Sequence, residues 1–184
     1  VGKVFVLYGP SASGKSEIQK ELTKNGYPKI ITATTRPPRP HEENGVHYIF
    51  MNSEQFKQKL LDNAFIESTE YNGHYYGTLK SSIDDVLNQN GKAHIVLDLA
   101  GVLALKQLYR NTIAVYIGAN VETIARRLAL RGSLPEETAA RIQKAEQIEL
   151  SSSYLQHADV IVWNHDGQDF AETMQRVKEI MEME

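Results

Sequence analysis

The 184-residue chain contains no cysteine, and that absence removes disulfide frameworks and thiol catalysis together. It has little excess charge of either sign: 20 basic against 23 acidic side chains give a formal −3, so no global positive field draws it to nucleic acid or to a membrane surface. No apolar run approaches the roughly 18 to 20 residues that a membrane-spanning helix needs. Proline is scarce and unevenly placed, with three of the six prolines inside residues 33–47, where no helix or central strand can run through. What is present, 41% hydrophobic and 23% charged residues, suits one globular domain with a sizeable core. The chain opens on an apolar strand and, lacking cysteine, reads as cytoplasmic.

The strongest local signal is Gly9-Pro10-Ser11-Ala12-Ser13-Gly14-Lys15-Ser16, which fits G-x-x-x-x-G-K-[ST]. Val4 to Leu7 before it reads as a buried strand, and Ile18 and Leu22 after it mark an amphipathic helix. At such a junction Gly9 and Gly14 let backbone N–H groups wrap a polyphosphate, and the helix start adds its positive dipole end. Lys15 is expected to reach the β- and γ-phosphates of the bound polyphosphate, and the Ser16 hydroxyl to face Mg²⁺.

Downstream, Asn25-Gly26 ends the first helix and Tyr27 to Thr32 is β-prone. Residues 33–47 read as a long loop, Tyr48 to Met51 as a strand, and Asn52-Ser53 as the cap of a helix with Phe56, Leu60 and Leu61 as its buried stripe. Phe65 to Tyr71 and His74 to Tyr76 flank the hairpin signal Asn72-Gly73. Helices are expected at Ser81 to Asn88, Val102 to Leu108, Asn120 to Leu130, from Pro135 onward and at Gln168 to Met183. A break falls at Gly132-Ser133-Leu134-Pro135. Strands are expected at Ala93 to Asp98, Thr112 to Ile117 and Val160 to Trp163, with Trp163 read as core. This alternation predicts an α/β fold: a parallel sheet flanked by helices, with ligands at the carboxyl ends of its strands.

A second cluster, Arg36 and Arg39 with Tyr48 and Tyr75-Tyr76, offers guanidinium forks and neutral hydroxyl donors to a phosphate monoester. Two phosphate sites in one small domain imply phosphoryl transfer. Here the segments Thr34-Thr35-Arg36-Pro37-Pro38-Arg39-Pro40, Asn44-Gly45, Tyr48, Phe65-Ile66-Glu67 and Asn72 to Thr78 resemble guanylate kinase, a P-loop NTPase family. The likeness runs from the P-loop to the last helix. It implies that Arg36, Arg39, Tyr48 and Tyr76 hold the GMP phosphate while Thr32, Glu67 and Thr78 face guanine, whose N1–H and N2–H₂ one carboxylate can accept together. It also implies that Arg131 and Arg141 close a lid over ATP, that Asn164 lies on the adenine side, and that ATP and GMP are the small-molecule substrates, with neither nucleic acid nor membrane as partner.

Guanylate kinases typically read Asp-Ile-Asp-x-Gln-Gly where this chain has Val96-Leu97-Asp98-Leu99-Ala100-Gly101. That alignment matches Asp98 to the guanine-side acid and leaves Val96 at the first acid's position, while the bare strand-end reading makes Asp98 an acid acting on Mg²⁺ through water or a helix cap. Arg126 and Arg127 read as solvated helical arginines, and the histidines have no metal-ligand spacing. The expected organisation is a single domain: core at 1–32, 81–125 and 146–184, a mostly β GMP-binding insertion at 33–80 and a lid at 126–145. The alternatives are a divergent paralogue serving as a binding module, or a kinase for another small phosphorylated acceptor.

Overall fold

The computed structural model describes residues 2–132 and 134–183, so Ser133 of the expected Gly132 to Pro135 break lies outside the described residues, as do Val1 and Glu184 at the ends of the expected core. Strand β1 (Lys3–Tyr8) runs into helix α1 (Lys15–Lys24). Further along, β6 (Lys92–Val96), β7 (Thr112–Gly118) and β8 (Val160–Trp163) join β1 in a parallel sheet of order β6-β1-β7-β8. Its strands alternate cleanly. Val4, Val6 and Tyr8 of β1 pack with Ala93, Ile95, Ala114 and Tyr116 under α3 (Lys80–Asn90) and α4 (Leu99–Leu108), while Phe5 and Leu7 pack with Val115 and Ile117 against α1 and α8 (Phe170–Met181). A strand buried on both faces has no polar side to show, which is why the sequence of β1 reads as a continuous apolar run.

Between α1 and α3 a second sheet forms, of order β3-β2-β5-β4. It comprises β2 (Ala33–Thr34), β3 (Ile49–Phe50), β4 (Phe65–Tyr71) and β5 (His74–Leu79). Asn72 and Gly73, at φ 50° and 74°, make the β4–β5 turn that their identities predict. Helix α2 (Ser53–Leu61) is fixed at its start by a reciprocal capping box between Asn52 and Gln55. Only Phe56 of its expected stripe is buried, stacked on Phe65 and Tyr75 with ring centroids 4.4 and 5.4 Å away. Leu60 and Leu61 are 39% and 81% exposed, because the small sheet underlies the helix only around Phe56.

Three other readings change. Tyr27 to Thr32 makes a single parallel bridge, Lys29 to His94, instead of a strand. Ala33 and Thr34, expected in a loop, pair with both β3 and β5 at the centre of the second sheet, and the loop begins after them. Trp163 is 40% exposed and stacks on His165 at 5.3 Å, since β8 is an edge strand and only Val162 of its alternation turns fully inward.

The remaining helices are α5 (Val121–Leu130), α6 (Pro135–Lys144) and the short α7 (Ser152–Leu155), with a π-helical turn, Ala145–Glu149, directly after α6. No helix among the described residues is long and apolar enough to cross a membrane.

His94 of β6 is fully buried against α1, with Nε2 3.5 Å from Thr23 Oγ1, and burial holds its pKa down at about 4 against an ordinary 6.5. Below pH 6.5 the unfolded chain takes a proton that the folded chain refuses, so stability is lost as pH falls from 6.5 to about 4. Urea denaturation at pH 7 and pH 4.5 is expected to give a smaller loss for His94→Gln than for the parent, by about 2 to 3 kcal/mol.

Candidate active site

The carboxyl ends of β1, β6, β7 and β8 gather the loops that carry the sequence motifs. Residues 9–14 wrap between β1 and α1, and two glycines there are sterically obligatory. A Cβ on Gly9 (φ 137°) would stand 2.2 Å from the Ile117 carbonyl oxygen, and one on Gly14 (φ 101°) would stand 2.4 Å from the Asn164 side-chain nitrogen. Ala12 takes φ 63° without that freedom. Gly14 offers no side chain to cap α1, so the first-turn N–H groups lack the usual capping acceptor, the arrangement that suits an anion. Ser13 Oγ is buried with no partner, a further donor within the loop.

Lys15 folds back along this loop, donating to the carbonyls of Gly9 at 2.7 Å and Pro10 at 2.6 Å. Burial pulls its pKa down to about 8; the Glu149 charge opposes the shift, and Arg131 and Lys144 add to it. An anion seated at the loop reverses the balance, because it supplies the counter-charge that burial denies the ammonium group.

Two cavities flank the loop. One, of about 480 Å³, is lined by Gly9, Ser11, Lys15, Thr32, Tyr48, Glu67, Tyr76, Val96, Asp98 and Glu149. The other, of about 350 Å³, is lined by Ala12, Gly14, Arg127, Leu130, Arg131, Asn164, Asp166 and Phe170. Two ligand-sized spaces therefore flank one glycine-containing loop.

In the larger cavity, Glu67 is aimed by a β-bulge between Phe65 and Glu67 and held by the Thr78 hydroxyl, which donates to its Oε1 at 2.7 Å. Thr78 is itself fully buried, so it acts on the cavity by orienting the acid. Burial pushes the Glu67 carboxyl above its ordinary range; the Thr78 hydrogen bond opposes this and the Asp98 charge reinforces it. Asp98 lies beyond the end of β6 as the N-cap of α4, accepting from the Gly101 N–H at 2.9 Å, and it lines the cavity as well. The cap and the site acid are thus one residue. Thr69, two residues along β4 from Glu67, lines the same wall; the period of two in the strand is the signal that could have found it.

Arg36 carries a partner that its sequence neighbourhood does not announce. Its Nη2 donates to Glu42 Oε1 at 2.8 Å, and its guanidinium lies 5.4 Å from the Tyr48 ring centroid. The Arg36 hydrogen bond, with one from the Arg39 backbone N–H, holds the Glu42 carboxyl down at about 2. Neither Arg36 nor Arg39 is part of the cavity lining, which Tyr48 and Tyr76 do join, and Arg39 is exposed.

On the other side, Arg127 departs from the solvated-face reading. Its three nitrogens reach Ala12 O at 3.2 Å, Asn164 O at 3.0 Å and Asp166 Oδ1 at 2.9 Å, while Arg126 pairs with Asp166 at 3.0 Å. Position 127 follows the buried Thr123 and Ile124 by one helical turn, and that period marks it. The Asn164 amide is committed within the protein, donating to Ser13 O at 2.9 Å and accepting from Thr173 at 3.4 Å. It therefore ties the loop to β8, and the Asn164 backbone is bonded as well, the N–H to Gly118 O at 2.8 Å and the carbonyl to Arg127. Arg131 caps the end of α5 and lines the cavity, and Arg141 sits half-buried in the last turn of α6.

Among the described residues no cluster of three or more His, Cys, Asp or Glu side chains could cage a metal. The Ser16 hydroxyl is exposed at the start of α1 and lines a further cavity with Glu42 and Tyr48, whereas Asp98 lies in the Glu67 cavity; each is an oxygen donor of the kind that Mg²⁺, which keeps several waters and binds phosphates, would take.

The guanylate kinase family model matches residues 1–184. The guanylate kinase of Thermotoga maritima is 32% identical over 174 residues, spanning 93% of this chain and 83% of that protein. That of Rickettsia bellii is 32% identical over 183 residues, 98% of this chain and 93% of that protein. The crystal structure of guanylate kinase from Anaplasma phagocytophilum superposes with a TM-score of 0.69 at 25% identity, covering 98% of this chain and 84% of that one. The chain belongs to the guanylate kinase family.

Proposed function

We propose that this protein transfers the γ-phosphoryl group of ATP to GMP, yielding ADP and GDP. The observation that carries the reading is the pair of cavities on either side of residues 9–15, one with Lys15 and a buried carboxylate on its wall and the other with Arg127 and Arg131. Core (1–32, 81–125, 146–184), insertion (33–80) and lid (126–145) then play the parts expected of a nucleoside monophosphate kinase in the cytoplasm.

In this reading Arg36, Tyr48 and Tyr76 take the GMP phosphate, and Arg39 joins them when the insertion closes. Arg36 leaves Glu42 for the dianionic phosphate, an exchange of one charge-assisted bond for stronger ones. Glu67 accepts the two adjacent donors of guanine, with Thr32, Thr78 and Asp98 around it. The amides of residues 9–16 wrap the ATP phosphates, Lys15 swings from the Gly9 and Pro10 carbonyls onto them, and Arg131 and Arg141 exclude water and neutralise charge as the lid closes. Mg²⁺ bound through Ser16 would neutralise charge on the β- and γ-phosphates. No covalent enzyme intermediate is needed, because positioning and charge neutralisation suffice.

Arg127 and Asn164 act here as positioning residues for the loop. Arg127→Met is expected to raise the KM for ATP about tenfold with a smaller change in kcat. It should also lower stability by about 2 kcal/mol through three lost charge-assisted bonds. Steady-state kinetics and urea denaturation check the two parts separately.

The function itself is tested by ATP-dependent phosphotransfer to GMP, dGMP, AMP, CMP and UMP, with and without Mg²⁺. GDP formation from GMP alone among the ribonucleotides, dependent on Mg²⁺, is the expected result. Turnover of a different acceptor, or GMP binding without turnover, would overturn it.

A further inference from the structure

The larger cavity holds a carboxylate that the reaction just described does not use. Glu149 is 6% exposed, lines the cavity with Lys15, and is anchored from below by the Tyr116 hydroxyl, which donates to its backbone carbonyl at 2.6 Å. A buried anion where phosphates must enter is tolerable only if cations surround it. They do: Lys144 Nζ stands 3.4 Å from Glu149 Oε1, and the charges of Glu149, Arg131 and Lys144 all act on the Lys15 ammonium.

The Lys144–Glu149 pair exists because of the π-helical turn. The two residues are five apart, and on a continuous α-helix the neighbours of position 144 would be 147 and 148. Ala145–Glu149 instead closes with an i to i+5 bond, Leu150 N–H to Ala145 O at 2.9 Å, which carries Glu149 round toward Lys144 and turns Ile148 out to 51% exposure. Such turns occur frequently at functional sites. Lys144 thereby gains a fixed station at the loop while its side chain stays 61% exposed and free to leave.

We propose that Lys144 is a further cation of the phosphoryl-transfer site, held by Glu149 while the site is empty and passed to the transferring phosphoryl group when both nucleotides are bound. This rests on the GMP kinase reading above. Lys15, Arg131 and Lys144 are three cations acting together beside Glu149, with Glu67 and Asp98 also on the cavity wall. A phosphoryl group carrying charge on three oxygens then competes well with a single carboxylate for the ammonium group. Glu149, released from the pair, remains buried beside Lys15 and keeps it charged.

Lys144→Met and Lys144→Arg test the assignment, in an assay where the parent's own GMP turnover is measured alongside. Lys144→Met is expected to lower kcat about tenfold or more, with the KM values for ATP and GMP within about twofold. Affinity for ADP, aluminium fluoride and GMP together, a mimic of the transfer state, should fall by the same factor, and Lys144→Arg should recover most of both. The thermal unfolding temperature should fall for Lys144→Met, because the buried Glu149 loses its nearest cation, and recover in Lys144→Arg, so kcat and mimic affinity are compared at a temperature where all three proteins are folded. A parental kcat in Lys144→Met, or a lowered kcat with unchanged affinity for the mimic, overturns the proposal. A parent that does not phosphorylate GMP overturns the underlying reading instead.

Discussion

Lys15→Met is expected to reduce GMP phosphorylation by about 10³-fold or more in kcat while making the folded protein more stable. The first part follows from position. Lys15 is the one ammonium group seated within residues 9–16, 2.7 and 2.6 Å from the loop's own carbonyls, and neutralising charge on the transferring group is most of what this chemistry asks of the protein. The second part follows from cost. The folded pKa of about 8 lies below the ordinary 10.5, so holding the ammonium charged inside the fold is unfavourable, chiefly through burial and then through Arg131 and Lys144. That cost is present in full below pH 8 and is relieved as pH rises toward 10.5, where the unfolded chain also gives up its proton. The Tm of Lys15→Met should therefore exceed the parent's at pH 7, with the gap narrowing above pH 8. GMP binding, followed by calorimetry, should change little, because none of the groups proposed for guanine and its monophosphate lies within residues 9–16. Normal turnover by the variant would remove the loop from the mechanism.

The same loop marks how far the sequence alone could be read. Strand β1, the glycine-rich turn and α1 are legible because each depends on near neighbours: an apolar run, two glycines at forced dihedrals, a helical period. Asn72-Gly73 and the Asn52 to Gln55 capping box are legible for the same reason. What failed depends on distant chain. Leu60 and Leu61 fit a buried stripe, yet the sheet beneath α2 is too small to cover them. Trp163 looks like core until β8 proves to be an edge. Glu42 is an unremarkable acid in a loop until Arg36 reaches it from six residues away, and Arg127 is a surface arginine until the residues 12 and 164 arrive beside it. Glu149 is hidden more deeply, since no periodic template anticipates a π turn that pairs residues five apart. Family resemblance supplied the residues proposed to face substrate, and the geometry added neighbours bonded to them, such as Glu42 on Arg36.

Glu67→Gln is expected to lower kcat/KM for GMP by about 10³ to 10⁴-fold, because an amide can accept one of guanine's two adjacent donors only by pointing its own NH₂ at the other. The parent's pH profile should reveal the same carboxylate. Burial, opposed by the Thr78 hydrogen bond and aided by the Asp98 charge, holds the empty-site Glu67 above the ordinary carboxylate range. Guanine requires the ionised form, so GMP binding must draw the proton off, and kcat/KM for GMP should fall on the acid side of the profile at a higher pH than an ordinary glutamate would give. Asp98→Asn supplies the decisive comparison. Asparagine still caps α4 through the Gly101 N–H, so the fold is kept, but the negative charge facing Glu67 is gone. Removing that charge lowers the proton affinity of Glu67, and the acid limb should move to lower pH even if the plateau drops through a lost contact to guanine. Val96→Asp makes the opposite change, adding a carboxylate to the same cavity wall, and should move the limb to higher pH. Acid limbs that stay put in both variants would mean that the titrating group governing GMP use is elsewhere, and Glu67 would lose its role as the guanine-reading carboxylate.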